Sequence, residues 1–309
     1  MQSELEFISW LQEHVPPHPR CELPLGDDCA IVHVENSAVV TTDMLVEGVH
    51  FLSNEVSPRR IGRKLLAVNL SDLAAMAARP TAAVISLALP RKGGYSLAVE
   101  LYEGLLPLAE RYHVAIAGGD TNVWDGPLVV SLTLLGDPHP RGSLRRHGAV
   151  EGDSILVTGT LCGSLRGRHL DFEPRVDEAQ RLRDQYNLHA GIDITDGLAI
   201  DLSRVLAASG RGAIVDVDLV PISEAALELA HRANDRKSPL QHALGDGEDF
   251  ELLLTAPQDE ARRMLADTPL EVPLTIIGEI TPDDGLRQRD RQGRITPLAA
   301  DGYLHRTNK

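Results

Sequence analysis

The sequence predicts an α/β (α+β) protein made of two domains. Its 309 residues are enough for two units that each bury a hydrophobic core. Apolar stretches of strand length alternate with longer stretches whose apolar residues recur at helical spacing. A basic, glycine-containing segment at residues 141–148 interrupts this alternation. We therefore expect a first domain over residues 1–140 and a second domain over residues 141–309.

The first domain is predicted to open with an amphipathic helix over Met1–Val15 and to continue as alternating strands and helices. In the helix expected over Pro58–Ala78, residues such as Ile61 and Leu65 belong to a wide apolar stripe, and Pro80 prevents its continuation. The remaining predicted elements are a helix at Ser96–Tyr112 and strands at Cys29–Val34, Ala38–Thr42, Thr81–Leu89, Val114–Ala117 and Leu128–Leu135.

The second domain is predicted to continue with strands and helices of similar length. A helix over Leu198–Ser209 should end at Gly210, because glycine readily adopts the left-handed conformation that terminates helices. The other predicted helices are Arg175–Tyr186 and Gln258–Leu265, and the predicted strands are Asp153–Thr158, Ala190–Ile194, Ala213–Val217, Phe250–Leu254 and Leu274–Ile277.

The composition excludes two classes of partner. The formal net charge is −15, from 45 acidic and 30 basic residues. Nonspecific binding of nucleic acid or of an anionic membrane needs clustered Lys and Arg, so we expect neither partner. The longest apolar stretch, around Ala82–Leu89, is too short to span a bilayer.

The cysteines and the N-terminus predict a cytoplasmic protein. The three cysteines are odd in number and include no C-x-x-C pair, which argues against a disulfide framework or a thiolate zinc site. The first fifteen residues contain Glu4, Glu6 and Glu13, whereas a secretory leader begins with basic residues and continues with an apolar core.

Aspartate recurs in six short signatures flanked by glycine or hydroxyl residues, at the edges of apolar stretches. Mg²⁺ prefers oxygen ligands and is usually held by one or two carboxylates together with waters and the phosphates of a substrate. The set therefore predicts a polynuclear magnesium site that holds phosphates. The signatures are Gly26-Asp27-Asp28, Thr41-Thr42-Asp43, Asn69-Leu70-Ser71-Asp72, Gly118-Gly119-Asp120-Thr121, Asp193-Ile194-Thr195-Asp196-Gly197 and Gly245-Asp246-Gly247-Glu248-Asp249.

Each signature also has an ordinary structural interpretation when taken alone. Gly-Asp pairs are common in turns, and Thr or Asp before a helix can cap it. Asp72 lies in an Ala- and Leu-rich helical stretch, where a carboxylate needs a compensating cation, an arginine or N–H groups. The helix that follows Gly197 has an N-terminus that would favour a phosphate. The sequence contains no Walker phosphate loop, Rossmann fingerprint, H-E-x-x-H or G-x-S-x-G motif.

Taken in order, the signatures closely resemble the thiamine-monophosphate kinase family, which belongs to a superfamily with aminoimidazole-ribotide synthetase. The resemblance extends from Gly26-Asp27-Asp28-Cys29-Ala30 to Gly302-Tyr303, and its most diagnostic stretches are residues 42–51, 67–76 and 247–252. It implies the two-domain aminoimidazole-ribotide synthetase-like fold, with N-terminal strands forming a barrel across a homodimer interface. It also implies that the second domain completes the nucleotide and substrate site.

The resemblance implies a role for each matching residue. Catalytic roles are implied for Asp43, Asp120 and Asp196. Contacts with ATP are implied for Gly119, Arg146 and Thr195, and contacts with the thiamine substrate for His50, Glu248 and Tyr303. Binding of several Mg²⁺ ions is implied for Asp28, Thr41, Thr42, Asp43, Asp72, Asp120, Asp193 and Asp196.

The implied reaction is direct, Mg²⁺-assisted transfer of a phosphoryl group from ATP to thiamine monophosphate, which gives thiamine diphosphate. Three departures from the family pattern are visible: Thr195 replaces a serine, Asp246 adds an acid, and the segment 160–190 is short and rich in arginine. Two alternatives stay open at this point. One is another ATP-using member of the superfamily with a different acceptor, and the other is a noncatalytic protein that binds divalent cations or nucleotides.

Overall fold

The computed structural model describes residues 10–11, 13–23, 31–34, 37–164, 167–231 and 236–303. They fall into two compact units. The first comprises the described residues up to 73 together with 78–138 and 170–173, and the second comprises 74–77, 139–169 and 174 onward. Most of the predicted helix Met1–Val15 lies outside the described residues, as do Asp28 and the first two residues of the predicted strand Cys29–Val34. The described part of that strand contains the short strand Ile31–Val32.

The first unit contains a four-stranded sheet in the order β3-β6-β4-β5, in which only the β4–β5 pair is parallel. Two short strands, β1 and β2, form a separate antiparallel pair. The elements are β1 (Cys21–Leu23), β2 (Ile31–Val32), β3 (Val39–Val46), α1 (Pro58–Ala75), β4 (Arg79–Pro90), α2 (Gly94–Arg111), β5 (Ala115–Trp124) and β6 (Val129–Asp137).

The two faces of this sheet differ in what covers them. Side chains alternate between the faces of a strand, and on one face Leu45 and Leu132 are buried. On the opposite face Val40, Met44 and Val84 are 60%, 54% and 38% exposed. The sheet therefore presents an open apolar face.

Helices α1 and α2 pack closely against each other through two glycines. A Cβ atom on Gly62 of α1 would lie 1.9 Å from the carbonyl oxygen of Leu101 in α2. A Cβ atom on Gly104 of α2 would lie 1.8 Å from the carbonyl oxygen of Arg59 in α1. Both distances are far shorter than atoms tolerate, so these two positions require glycine at this helix separation.

The prediction that a strand ends at Thr42 was wrong, since β3 continues to Val46. Asp43 lies in the middle of the strand, opposite Leu132 of β6, and Leu45 lies opposite Val130. An acidic residue suggested a strand end in the sequence. The strand continues because the next residue on the same face, Leu45, is buried and because pairing with β6 is unbroken.

The prediction of a loop at Gly118-Gly119-Asp120 was also wrong. Strand β5 continues to Trp124, in parallel pairing with β4 and with a register shift where Val84 pairs with Gly118. A Cβ atom on Gly119 would lie 1.9 Å from the carbonyl oxygen of Ile85. Glycine therefore keeps β5 close to β4, a close approach to a neighbouring backbone that glycine permits within a strand.

The second unit contains a seven-stranded sheet in the order β13-β12-β9-β11-β7-β10-β8. Its pairs are antiparallel except for β9–β12. The elements that follow β6 in the chain are β7 (Ser154–Thr158), α3 (Arg168–Asp171), α4 (Val176–Gln185), β8 (Ala190–Asp193), α5 (Leu198–Ser209), β9 (Gly212–Asp216), α6 (Glu224–Ala230), α7 (Pro239–Gly245), β10 (Leu252–Ala256), α8 (Gln258–Asp267), β11 (Leu274–Thr281), β12 (Gly285–Arg289) and β13 (Ile295–Pro297).

Helix α5 has the bounds that the sequence predicts. Gly210 follows it in the left-handed conformation, with φ of 61°, and its N–H group donates to the carbonyl of Leu206. Leu202 and Val205 of α5 are fully buried in the core of this unit together with Ile192 and Leu253. None of the helices in the described part of the chain is both long and apolar enough to cross a lipid bilayer.

Candidate functional site

The first unit brings together three of the predicted metal ligands. Thr41 and Asp43 project from the same face of β3, because they are two residues apart on a strand. Asp72 comes from α1, and the hydroxyl of Thr41 donates a hydrogen bond to its Oδ2 atom. Asp43 and Asp72 also hydrogen-bond to each other through their side chains.

This cluster is an acidic site under electrostatic strain. Burial, the neighbouring charge of Asp72 and the hydrogen bond between the two side chains together raise the pKa of Asp43 to about 7, and burial is the largest cause. Two carboxylates and a hydroxyl supply only oxygen atoms, the donor set that hard cations such as Mg²⁺ prefer. These residues therefore fit a magnesium site, where a bound cation would relieve the repulsion between the acids.

Thr42 lies on the opposite face of β3 from Asp43. Its hydroxyl is hydrogen-bonded to the carbonyl of Leu132, at 3.2 Å, and to the hydroxyl of Thr133, at 3.0 Å. The structure thus does not bring the side chain of Thr42 together with Asp43 and Asp72. Successive side chains of a strand point to opposite faces, which explains this separation. The sequence-based prediction of three consecutive ligands, Thr41, Thr42 and Asp43, did not take this alternation into account.

Three other predicted residues of this unit occupy separate places. Asp120 is exposed on β5, next to Gly119, and its Oδ2 atom accepts a hydrogen bond of 3.2 Å from the side-chain amide of Asn122. His50 follows β3 and is half-buried. The Nδ1 atom of His50 accepts from the backbone N–H group of Val46 at 3.0 Å, which leaves Nδ1 unprotonated in this arrangement.

In the second unit, a buried acid organises the segment that follows β8. The backbone N–H groups of Thr195, Asp196 and Gly197 donate to Oδ2 of Asp201, at 2.9, 3.0 and 3.2 Å. Asp201 lies in the first turn of α5 and is fully buried. The predicted phosphate position at this helix N-terminus is therefore wrong for these three N–H groups, because a carboxylate of the chain already binds them.

An arginine connects this carboxylate to a predicted catalytic residue. Arg204, one turn along α5, contacts Oδ1 of Asp201 at 2.5 Å and Oδ2 of Asp196 at 2.6 Å. Asp193, at the end of β8, is buried. Asp196 is thus held in place by Arg204 in this structure, while Asp193 comes directly from the sheet.

The segment 247–250 lies against residues 194–196. The N–H groups of Glu248 and Phe250 donate to the carbonyls of Thr195 and Ile194, at 2.7 and 2.8 Å. Gly247, Glu248 and Phe250 all have positive φ, with values of 73°, 56° and 52°. For side-chain-bearing residues this conformation is uncommon and stores strain, which clusters at functional sites.

Two predicted substrate residues and one predicted catalytic residue meet at this segment. The N–H group of Tyr303 donates to the carbonyl of Asp196 at 2.8 Å, and the Tyr303 side chain is half exposed. Glu248 is bonded through its backbone to Thr195, the residue next to Asp196. The backbone of one short segment therefore brings Asp196, Glu248 and Tyr303 together.

Asp249 connects this segment to a second one. Its Oδ1 atom accepts from the N–H group of Cys162, at 2.7 Å, and from the hydroxyl of Ser164, at 2.9 Å. Burial raises the pKa of Asp249 to about 7. Its Oδ2 atom is buried and has no hydrogen-bond partner among the described residues. The carboxyl group thus fixes the position of Cys162–Ser164.

Glu251 anchors the other end of the same segment. It is fully buried, and Arg168 and Arg175 both bind its carboxylate, with Arg175 making two hydrogen bonds of 2.8 Å. The hydroxyl of Thr158 donates to it at 2.8 Å. Burial of an acid is tolerated here because every oxygen is matched by a cationic or hydroxyl donor.

Sequence reasoning missed Asp201 and Arg204 as parts of this arrangement, and it included Asp249 only as a member of the sixth acidic signature. Asp201 had a usable signal, since an acid in the first turn of a helix binds free N–H groups there. Arg146, a predicted contact for ATP, is exposed, and its carbonyl accepts from Ser209 at 3.3 Å. Asp28 lies outside the described residues.

Comparison with known families matches both halves of the chain. Residues 26–137 match the N-terminal domain described as AIR synthase related protein, and residues 141–290 match the corresponding C-terminal domain. A thiamine-monophosphate kinase of Rhodopirellula baltica is 41% identical to the chain, over 98% of this chain and 97% of that protein.

Solved structures show the same similarity. The crystal structure of a thiamine-monophosphate kinase from Stenotrophomonas maltophilia K279a superposes with a TM-score of 0.76 and 36% identity, and covers 91% of this chain and 94% of that chain. A structure of AaThiL complexed with AMPPCP and TMP superposes with a TM-score of 0.74 and 27% identity, and covers 99% of both chains.

Proposed function

The chain belongs to the AIR synthase related family, and we propose that it is a thiamine-monophosphate kinase that transfers a phosphoryl group from ATP to thiamine monophosphate. The products are thiamine diphosphate and ADP. The similarity to named kinases over nearly the whole chain supports this activity. The observation that carries the proposal is the oxygen-rich cluster of Thr41, Asp43 and Asp72, because phosphoryl transfer to an anionic acceptor depends on neutralising charge.

Mg²⁺ is part of this proposal. In the first unit Thr41, Asp43, Asp72 and Asp120 would hold Mg²⁺ ions, and in the second unit Asp193 and Asp196 would do so. Thr42 and Asp28 are further predicted ligands. When bound, Mg²⁺ would offset the negative charges of the two phosphorylated substrates and so favour their approach. The mutual repulsion of Asp43 and Asp72 supports this assignment, since both carboxylates gain from a shared cation.

The residues of the chain would act mainly by positioning. The acceptor is a phosphate oxygen that already carries negative charge, so a strong general base is not required. Asp201 fixes the backbone of Thr195–Gly197, and Arg204 fixes the carboxylate of Asp196. Rigid placement of these groups lowers the entropic cost of aligning two substrates.

We assign the substrate contacts by the same reasoning. Glu248 and Tyr303 would contact thiamine monophosphate, and their backbone contacts with Thr195 and Asp196 support a shared role. His50 would contribute a further contact. Nucleotide contacts are proposed for Gly119, Arg146 and Thr195.

The domain boundary after residue 140 stays a prediction. In the structure, residue 138 belongs to the first compact unit and residue 139 to the second.

The proposal includes a homodimer located in the cytoplasm. The open face of the first-unit sheet exposes Val40, Met44 and Val84, and an exposed apolar patch of this kind is typical of an interaction surface. Pairing of two such sheets would form the barrel that the resemblance implies. A cytoplasmic location agrees with the use of ATP as co-substrate and with the absence of paired cysteine motifs in the sequence.

The proposed activity is tested with purified protein, Mg²⁺, ATP and thiamine monophosphate, by following thiamine diphosphate and ADP chromatographically. Equal amounts of both products are expected. Consumption of ATP without formation of thiamine diphosphate would show that the acceptor is a different compound. Binding of ATP without turnover would contradict the kinase assignment and favour a noncatalytic nucleotide-binding protein.

A further inference from the structure

A second group of metal-ligating side chains lies in the second unit, apart from the acids discussed above. Cys162 belongs to the segment after β7, and His242 and Asp246 belong to α7 and its C-terminal cap. Their ligand atoms all lie within 4.8 Å of one another. Nδ1 of His242 is 2.7 Å from Oδ2 of Asp246, and Sγ of Cys162 is 3.4 Å from the same oxygen.

The backbone around this group is fixed on both sides. The N–H group of Cys162 donates to Asp249 at 2.7 Å, and its carbonyl accepts from the hydroxyl of Ser223 at 2.5 Å. Cys162 has a positive φ of 69°, which is uncommon for a residue with a side chain. Its Sγ is therefore held toward α7 by contacts that are independent of the thiol.

The helix places its two ligands in register. His242 and Asp246 are four residues apart, so they share one face of α7. A capping box at Ser238, with Gln241, fixes the start of this short helix. Lys237 contacts Oδ1 of Asp246 at 2.7 Å, which leaves Oδ2 directed to Cys162 and His242.

We propose that Cys162, His242 and Asp246 form a binding site for a borderline-soft divalent cation of the zinc type. Thiolate and imidazole ligands favour Zn²⁺ over Mg²⁺, and three protein ligands are the usual number where a fourth position is taken by water. Cys162 and His242 are 1% and 5% exposed, and the Asp246 side chain is 14% exposed. The ligand set is therefore enclosed by protein but reachable at Asp246.

Binding exchanges a proton for the metal. The thiol of Cys162 loses its proton to solvent, the sulfur bonds the cation, and no electron is transferred. Nδ1 of His242 gives up the proton that it donates to Asp246, and the neutral ring then carries its proton on Nε2. Nδ1 and the Asp246 carboxylate then both bind the metal in place of their hydrogen bond. The bound cation would link α7 to the segment 162–164, which Asp249 already connects to the segment around Glu248.

The test uses the full-length protein, freed of metal by a chelator, with Zn²⁺ and then Co²⁺ as probes. One equivalent of Zn²⁺ should bind and stay bound in excess Mg²⁺. Co²⁺ should give the intense near-ultraviolet absorption of a cobalt–thiolate bond. Cys162→Ser should abolish that absorption. His242→Gln and Asp246→Asn should weaken zinc binding by more than the roughly 10-fold typical of losing an outer-shell partner.

The matched control is a double variant, Cys21→Ser with Cys29→Ser, which keeps Cys162 and should bind both metals like the unaltered protein. Melting curves of each variant without metal check that it folds. The proposal is overturned if the unaltered protein binds no zinc, if Mg²⁺ displaces the zinc, or if the cobalt–thiolate absorption survives in folded Cys162→Ser. These readouts do not depend on kinase activity.

Discussion

The carboxyl groups of Asp43 and Asp72 hydrogen-bond to each other although both belong to acids. Asp43 comes from the middle of β3 and Asp72 from α1, so the tertiary structure and not the local sequence brings them together. This hydrogen bond requires a proton on one of the two carboxyl groups, and repulsion costs free energy once both are ionised in the absence of a cation. A pair of ionised carboxylates at this position is therefore unfavourable for stability, which agrees with the metal-binding role that we propose for it.

Asp43→Asn should lower kcat by at least about 100-fold, the size of effect seen when a charge-stabilising group is removed from an active site. The unfolding temperature in a chelator should not fall, because the substitution removes repulsion and keeps the size of the side chain. Turnover and thermal melting check the two halves of this prediction. Asp125→Asn, at an exposed acid of the same unit, is the control. Near-normal turnover of Asp43→Asn in saturating Mg²⁺ would contradict the assigned role.

Gly119→Ala should destabilise the protein by about 1–3 kcal/mol, the usual cost of forcing atoms into a packed region. The new Cβ would lie 1.9 Å from the carbonyl oxygen of Ile85 and would push β5 away from β4. Gly118→Ala is a matched control, since a Cβ atom there meets nothing within 4 Å. Urea unfolding measures both. Equal stability of the two variants would show that β5 does not approach β4 this closely.

Asp201→Ala should both destabilise the protein and impair catalysis. Loss of a helix-capping acid typically costs about 1 kcal/mol. Here three N–H groups lose their partner and Arg204 loses one of its two carboxylate partners, so the loss of stability should be at the upper end of the range of about 0.5–2 kcal/mol. The rate should fall because Asp196 is no longer held in place. Ser203→Ala, which removes a hydroxyl that donates to the carbonyl of Ile200, is the control for the same helix. An active and stable Asp201→Ala protein would refute the positioning role.

Met44→Glu should convert the proposed dimer to monomer, because it places a charge in the middle of the open apolar face. Sedimentation velocity at micromolar concentration measures the change. Val150→Glu, at an apolar residue of the second unit that is 46% exposed, should leave the assembly intact. A dimer that persists in Met44→Glu would exclude this face as the interface.

The sequence predicted elements well where local signals were strong. Helix α5 has its apolar stripe and its terminal glycine, and both ends were predicted correctly. Strand β5 was predicted too short because Gly118 to Asn122 resemble a loop, and only pairing with β4 makes them a strand. Strands β12 and β13 were missed because their sequences are largely polar, and because β12 joins the sheet through β9, which lies far from it along the chain.

The acids of the candidate site were predictable one by one, but their grouping was not. The pairing of Asp43 with Asp72 needs the packing of α1 on β3, which no local pattern describes. The placement of Thr42 on the other face follows from strand alternation once β3 is known to continue. Asp249 was part of a predicted acidic signature, but its partners, Cys162 and Ser164, could not be predicted because they are distant in sequence.

The position of β11 has a consequence for synthesis on the ribosome. The four-stranded sheet of the first unit is complete once Asp137 has been made, so that sheet can form while the chain is still growing. In the second unit, β9 lies between β11 and β12 and has no other partner among the described strands. Both edges of β9 therefore stay unpaired until Leu274–Thr281 has been made, and unpaired strand edges of this kind are prone to aggregation.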